Sequence, residues 1–105
     1  MEYGNDVKGE LDLTKPMDSV EFSVEGHSVV FAQTEMLEGS IGSAVVTLQR
    51  GIGGRFWVAL GTPKTMGDGE MHTLTGFEGD WIRAVVTTHD ASAGKMGVSF
   101  GKREV

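Results

Sequence analysis

The sequence predicts an all-β domain, an antiparallel two-sheet β-sandwich of jelly-roll-like build, and three observations carry that reading. Apolar residues recur with period two in short segments, and no stretch keeps a helical period. Glycine makes up 16 of the 105 residues and lies between those segments rather than in one tract. Seven such segments follow one another, at spacings that suit a sandwich, jelly roll or barrel.

Taken in order, Val20, Phe22 and Val24 alternate with Glu21, Ser23 and Glu25, as in a half-buried strand. Gly26-His27 turns the chain into Ser28 to Gln33, rich in Val and Phe. Met36 to Gly42 reads as a loop, and any helix is confined to one turn around Thr34 to Leu37. In Ser43 to Gln49, the residues Ala44, Val46 and Leu48 share a face. Arg50-Gly51-Ile52-Gly53-Gly54 is a turn signal, and Arg55 to Leu60 then sets Phe56, Val58 and Leu60 against Trp57 and Ala59. A loop over Gly61 to Glu70 carries Pro63 and the turn pair Asp68-Gly69. Met71 to Thr75 is a short strand, followed by a turn at Gly76 to Asp80. Trp81 to Thr88 is the most strand-like segment, with Ile82, Ala84 and Val86 opposing Trp81, Arg83, Val85 and Thr87. After a loop at His89 to Gly94, Lys95 to Phe100 turns Met96, Val98 and Phe100 inward. Residues 10–14 supply an eighth strand if they pair at an edge.

Residues 44–60 align without a gap to residues 84–100, with 6 of 17 positions identical. Both copies read as strand, glycine-containing turn, strand, which predicts two hairpins. Convergence on hairpin chemistry and duplication of a hairpin both account for the match.

The domain reading divides the chain into an extended N-terminal arm, residues 1–19, and a β-sandwich, residues 20–105. Glu2 to Lys15 mixes charges with isolated apolar residues, and Lys15-Pro16 disfavours regular structure. Either the arm is a frayed tail, or it orders against a partner through Tyr3, Val7, Leu11 and Leu13. In the second case, removing residues 1–15 leaves a folded domain that no longer binds.

Composition narrows the function. Without cysteine there is no disulfide framework, zinc–thiolate site or thiol nucleophile. The first residues lack a basic stretch leading into an apolar one, and no apolar run approaches a membrane span. The formal net charge of −6 disfavours nucleic-acid binding, and serves either solubility or complementarity to a basic partner. His27, His72 and His89 fall in separate elements without metal-ligand spacing, and Asp68, Glu70, Asp80 and Asp90, all in predicted loops where calcium ligands would cluster, lack EF-hand or repeat spacing. There is no nucleophile elbow, and Gly51 to Gly54 lacks the lysine and helix of a phosphate loop. The sequence therefore predicts no enzyme, no metal and no cofactor. Trp57 and Trp81 remain, either packed in the core or exposed as interface anchors or sugar-stacking platforms.

Four features, Ser43 to Gln49, Phe56-Trp57-Val58, Trp81-Ile82-Arg83-Ala84-Val85-Val86-Thr87 and Val98-Ser99-Phe100, resemble short virion structural proteins of tailed bacteriophages. The resemblance spans roughly residues 40–101 and implies a capsid decoration, or cement, protein. It further implies binding to the major capsid protein on the virion exterior, oligomerisation as a dimer or trimer, and synthesis in the host cytoplasm. Head-fibre and tail components belong to the same class, and a carbohydrate-binding module is the alternative outside it.

Overall fold

A computed structural model describes residues 7–24, 28–52, 56–60, 65–67, 69–75, 77 and 80–103. Among these residues nine strands are assigned: β1 (Val7–Asp12), β2 (Ser19–Ser23), β3 (Val29–Glu38), β4 (Val45–Ile52), β5 (Phe56–Ala59), β6 (Thr65–Met66), β7 (Met71–Leu74), β8 (Trp81–Thr88) and β9 (Lys95–Arg103). The first sheet runs β1-β9-β3-β7 and the second β2-β8-β4-β5, with β6 on β4 beside β5. All pairings are antiparallel. Successive strands largely alternate between sheets, and the last two insert between earlier ones. This interleaving is the two-Greek-key order of a jelly roll.

Period-two alternation builds the core, because inward positions of both sheets meet across about 10 Å. Val46, Leu48, Ile82, Ala84 and Val86 line the second sheet, and Val30, Ala32, Met96, Val98 and Phe100 the first; all are buried. Phe22 and Phe100 stack across the gap with ring centroids 5.8 Å apart. Lys102 is buried at the rim, its Nζ donating to the Ser23 carbonyl at 3.2 Å and lying 5.3 Å from the Phe22 ring. Its aliphatic stem packs while the ammonium keeps a carbonyl, so burial leaves it with a partner.

Several expectations are corrected. The arm reading fails over residues 7–19, since β1 pairs with β9 from Val7↔Phe100 to Asp12↔Lys95. The eighth strand at residues 10–14 is therefore present, beginning earlier at Val7 and ending at Asp12. Residues 34–37 form no helical turn: β3 continues to Glu38, with a register shift between Met36 and Glu38. The echo at 84–100 is not a second hairpin. β4 and β5 pair with each other, from Gln49↔Ala59 to Ile52↔Phe56, whereas β8 and β9 lie in different sheets.

The reason is the 89–94 loop, which arches between sheets instead of turning back. Asp90 ties it to the loop after β3, its Oδ2 accepting from the Ser43 backbone N–H and Oγ–H at 2.9 Å each. Its Oδ1 accepts from the Ser92 N–H at 2.9 Å and Oγ–H at 2.8 Å. Gly94 completes the knot, since a Cβ there would stand 1.7 Å from the Glu38 carbonyl oxygen. Only glycine lets the two backbones approach so closely.

Candidate functional site

The residues expected to contact a partner divide by depth. Tyr3 lies outside the described residues, and Val7 opens β1 opposite Phe100. Leu11 and Leu13 are not contact residues: each is 0% exposed and belongs to the core. Their spacing of two places both on the inward side of β1 and its continuation, where Leu11 faces Met96 in register. Beyond the strand, the Leu13 N–H donates to the Gly94 carbonyl at 3.1 Å, which holds that side chain over the core.

Trp57 and Trp81 are half-buried, and both stand on the outer face of the second sheet. The register explains this. Inward Leu48 pairs with inward Ala84, so the next row outward joins Gln49 to Arg83, and a further row joins Gly51 to Trp81 on one side and Trp57 on the other. Gly51 leaves a gap between the two indoles, and Trp57 leans into it. A Cβ on Gly51 would lie 2.9 Å from Trp57 Cε3. The Arg83 guanidinium lies 4.5 Å from the Trp57 ring centroid, and its Nε–H donates to Gln49 Oε1 at 2.8 Å. Glu21 is opposite Arg83 on the far side. Partial burial lowers the Arg83 pKa and the Glu21 charge opposes that shift, so the guanidinium stays charged in its usual manner. The sequence pattern did not join Arg83, Gln49 and Gly51 to the tryptophans as one site. Trp81-x-Arg83 and Gln49-x-Gly51 each mark one face of one strand, but only the pairing of β4 with β8 and β5 assembles them.

A second surface opens at the edge of the same sheet. Phe56 and Val58, which the alternation sets on one face of their strand, are 76% and 52% exposed. Their parity is as read, on the side opposite Trp57, but β5 is the end strand, and the core-facing position alone does not bring cover. Met71 on β7 is also exposed.

The outer face of the first sheet carries a shallow trough of about 350 Å³ along β9, floored by Gly97, Ser99 and Gly101 and walled by Phe31, Gln33 and Met71. An adjoining hollow of about 280 Å³ lies beside Glu10, Glu35 and Leu37.

Titratable groups among the described residues do not converge on one site. Among the described residues no group of three or more His, Asp or Glu could hold a metal ion. His27 and Asp68 lie outside the described residues. His72 Nε2 and Glu70 Oε2 are 3.3 Å apart as an exposed pair. Asp90 is spent on its four donors, which hold its carboxyl far below the ordinary value. Its place beside His89 and Ser92 makes a loop clasp rather than a catalytic relay.

No family model matches the chain, and no curated protein sequence matches it. Among solved structures, it is similar to a de novo designed double-stranded β-helix, at 16% identity and a TM-score of 0.52, over 95% of this chain and 100% of that one. It is also similar to a pilus protein of Bacillus endospore appendages, at 14% identity and a TM-score of 0.44, over 96% of this chain and 88% of that one. The first of these likenesses concerns fold alone, and is in keeping with the all-β architecture described above.

Proposed function

We propose that this chain is a non-catalytic decoration protein of a virion, binding the major capsid protein on the capsid exterior and bridging neighbouring subunits. The observation that carries the reading is the edge strand β5, where Phe56 and Val58 stand exposed beside a strand edge that no described strand pairs. Free backbone groups and adjacent apolar side chains are what strand addition to a partner uses. Burying those two side chains contributes roughly 1.5–3 kcal/mol each at full burial, a modest affinity that repetition over a shell multiplies. The resemblance over residues 40–101 includes this strand, and the formal charge of −6 suits a protein partner better than a nucleic acid.

In this mechanism the module acts by adhesion, and oligomerisation as a dimer or trimer spaces the copies over the shell. Opening the shell then requires breaking β5 contacts as well as capsid contacts. Mass spectrometry of purified particles tests the placement, with an expected copy number matching a capsid symmetry class. Absence of the chain from particles sinks the proposal. Phe56→Ser with Val58→Thr is expected to lower occupancy while leaving the fold intact, and unchanged occupancy removes β5 from the mechanism.

A further inference from the structure

We infer that the outer face of the second sheet is a glycan-binding platform, in which a pyranose ring stacks on Trp81 and is hydrogen-bonded by Arg83 and Gln49. This goes beyond the capsid reading and does not rest on it. Trp81 is half-buried on an outward position, paired through its backbone with Ser23 and Gly51, yet its side chain has no ring contact and no hydrogen bond among the described residues. A tryptophan kept for packing is expected to show one or the other. Trp57 shows both marks of a structural role, lying against Gly51 and carrying the Arg83 guanidinium at 4.5 Å.

The polar groups that share this outer face with Trp81 are fixed but unsaturated. Arg83 donates through Nε to Gln49 Oε1 at 2.8 Å, which leaves its terminal N–H groups and the Gln49 amide N–H without partners among the described residues. Glu21, in register with Arg83, adds an acceptor at the margin. Donors held in a planar fork over the Trp57 indole, with a carboxylate in register and the open Trp81 indole farther along the same face, match the alternating hydroxyls and apolar ring faces of a chain of sugars. The row Trp81–Gly51–Trp57 spans two strand spacings, about 9–10 Å, and the side chain absent at Gly51 keeps its centre low. A flat face of this kind takes an extended polysaccharide lying along it. In this arrangement Trp57 is a positioning residue, acting through Arg83, and Trp81 is the group that touches the sugar.

The test is titration of the full chain with cellohexaose, maltohexaose and chitohexaose, followed by indole fluorescence and calorimetry. At least one hexaose is expected to bind in the millimolar range or tighter, with a change in indole emission. Trp81→Ala is expected to weaken that binding by about tenfold or more. Arg83→Lys, which keeps the charge and removes the fork, is expected to do the same, while Phe31→Ala on the other sheet leaves it unchanged. Circular dichroism melts report folding. If Trp81→Ala does not fold, Gln49→Ala supplies the same readout from a half-buried amide. Failure of all three sugars to bind overturns the inference, as does binding that survives these substitutions. Loss of particle binding rather than sugar binding in the variants also overturns it, since the face would then be a protein interface.

Discussion

Leu13→Ala and Leu11→Ala decide whether residues 7–19 belong to the domain or only to its partners. Both side chains are 0% exposed inside the cluster formed by the two sheets. A buried Leu→Ala change costs roughly 2–5 kcal/mol, the spread reflecting how far the site collapses onto the cavity. The two are neighbours on one strand face, so their effects need not add, but together they remove roughly 4 kcal/mol or more. Against a typical domain stability of about 5–15 kcal/mol, that is a large share. Deleting residues 1–15 also strips β9 of its entire outer partner, Val7 to Asp12, and is expected to leave an unfolded chain. The assay is urea unfolding followed by indole fluorescence and far-ultraviolet circular dichroism, with the midpoint lowered and the slope unchanged. A surface arm predicts changes within about 0.5 kcal/mol. A loss below about 1 kcal/mol for Leu13→Ala, or a cooperative transition of the deleted chain at the parent midpoint, refutes the core assignment.

Three further outcomes are expected. Gly94→Ala forces the Glu38 and Gly94 backbones apart and costs roughly 3 kcal/mol or more in a thermal melt. Gly69→Ala meets no neighbouring atom and bears only the strain of its positive φ, about 1–2 kcal/mol, so the ordering of the two is the check. The carboxyls of Asp90 and Asp12 are both held below their ordinary value of 3.8, by Ser43 and Ser92 in one case and chiefly by Thr14 in the other. A depressed folded-state value means stability that is present above the unfolded value and lost as pH falls below it toward the folded one. Melting temperature is thus expected to fall below about pH 4, more shallowly in Asp90→Ala, and parallel pH profiles for parent and variant would contradict this. Phe56→Ser, at a position 76% exposed, is expected to move stability by less than about 0.5 kcal/mol, measured in the same urea assay.

Most of the fold was legible because alternation sets both strand and face. Val46/Leu48, Ile82/Ala84/Val86 and Met96/Val98/Phe100 are inward as their period demands. β1 carries the same signal in Leu11 and Leu13. It was obscured by Glu10 and Asp12, which occupy the solvent side of an edge strand and look like part of a charged tail. Phe56 and Val58 show the converse limit. Parity tells which way a side chain points, but whether the opposite sheet reaches that far depends on strand order, which no local pattern encodes. The mistaken second hairpin has the same origin, since Val85-Val86-Thr87 and Met96-x-Val98 look alike whether their strands pair or face each other. The cluster of Trp57, Arg83 and Gln49 was legible only as separate residues, because register between β4, β5 and β8 is a property of the assembled sheet.

The strand order also carries a consequence for when this protein becomes a folded object. Among the described strands β9 is the one partner of β1 and the link between β1 and β3, so Val7 waits for Phe100, and Val29 for Arg103, before the first sheet exists. Every loop closed in that step spans most of the chain, and such non-local pairing places folding in the millisecond-to-second range rather than in microseconds. During synthesis, β3 and β1 therefore emerge with open edges and remain so until the last strand arrives. For a chain produced in many copies at once, the hazard is intermolecular pairing before closure, and the charges along the outward side of β1 are placed where they oppose it.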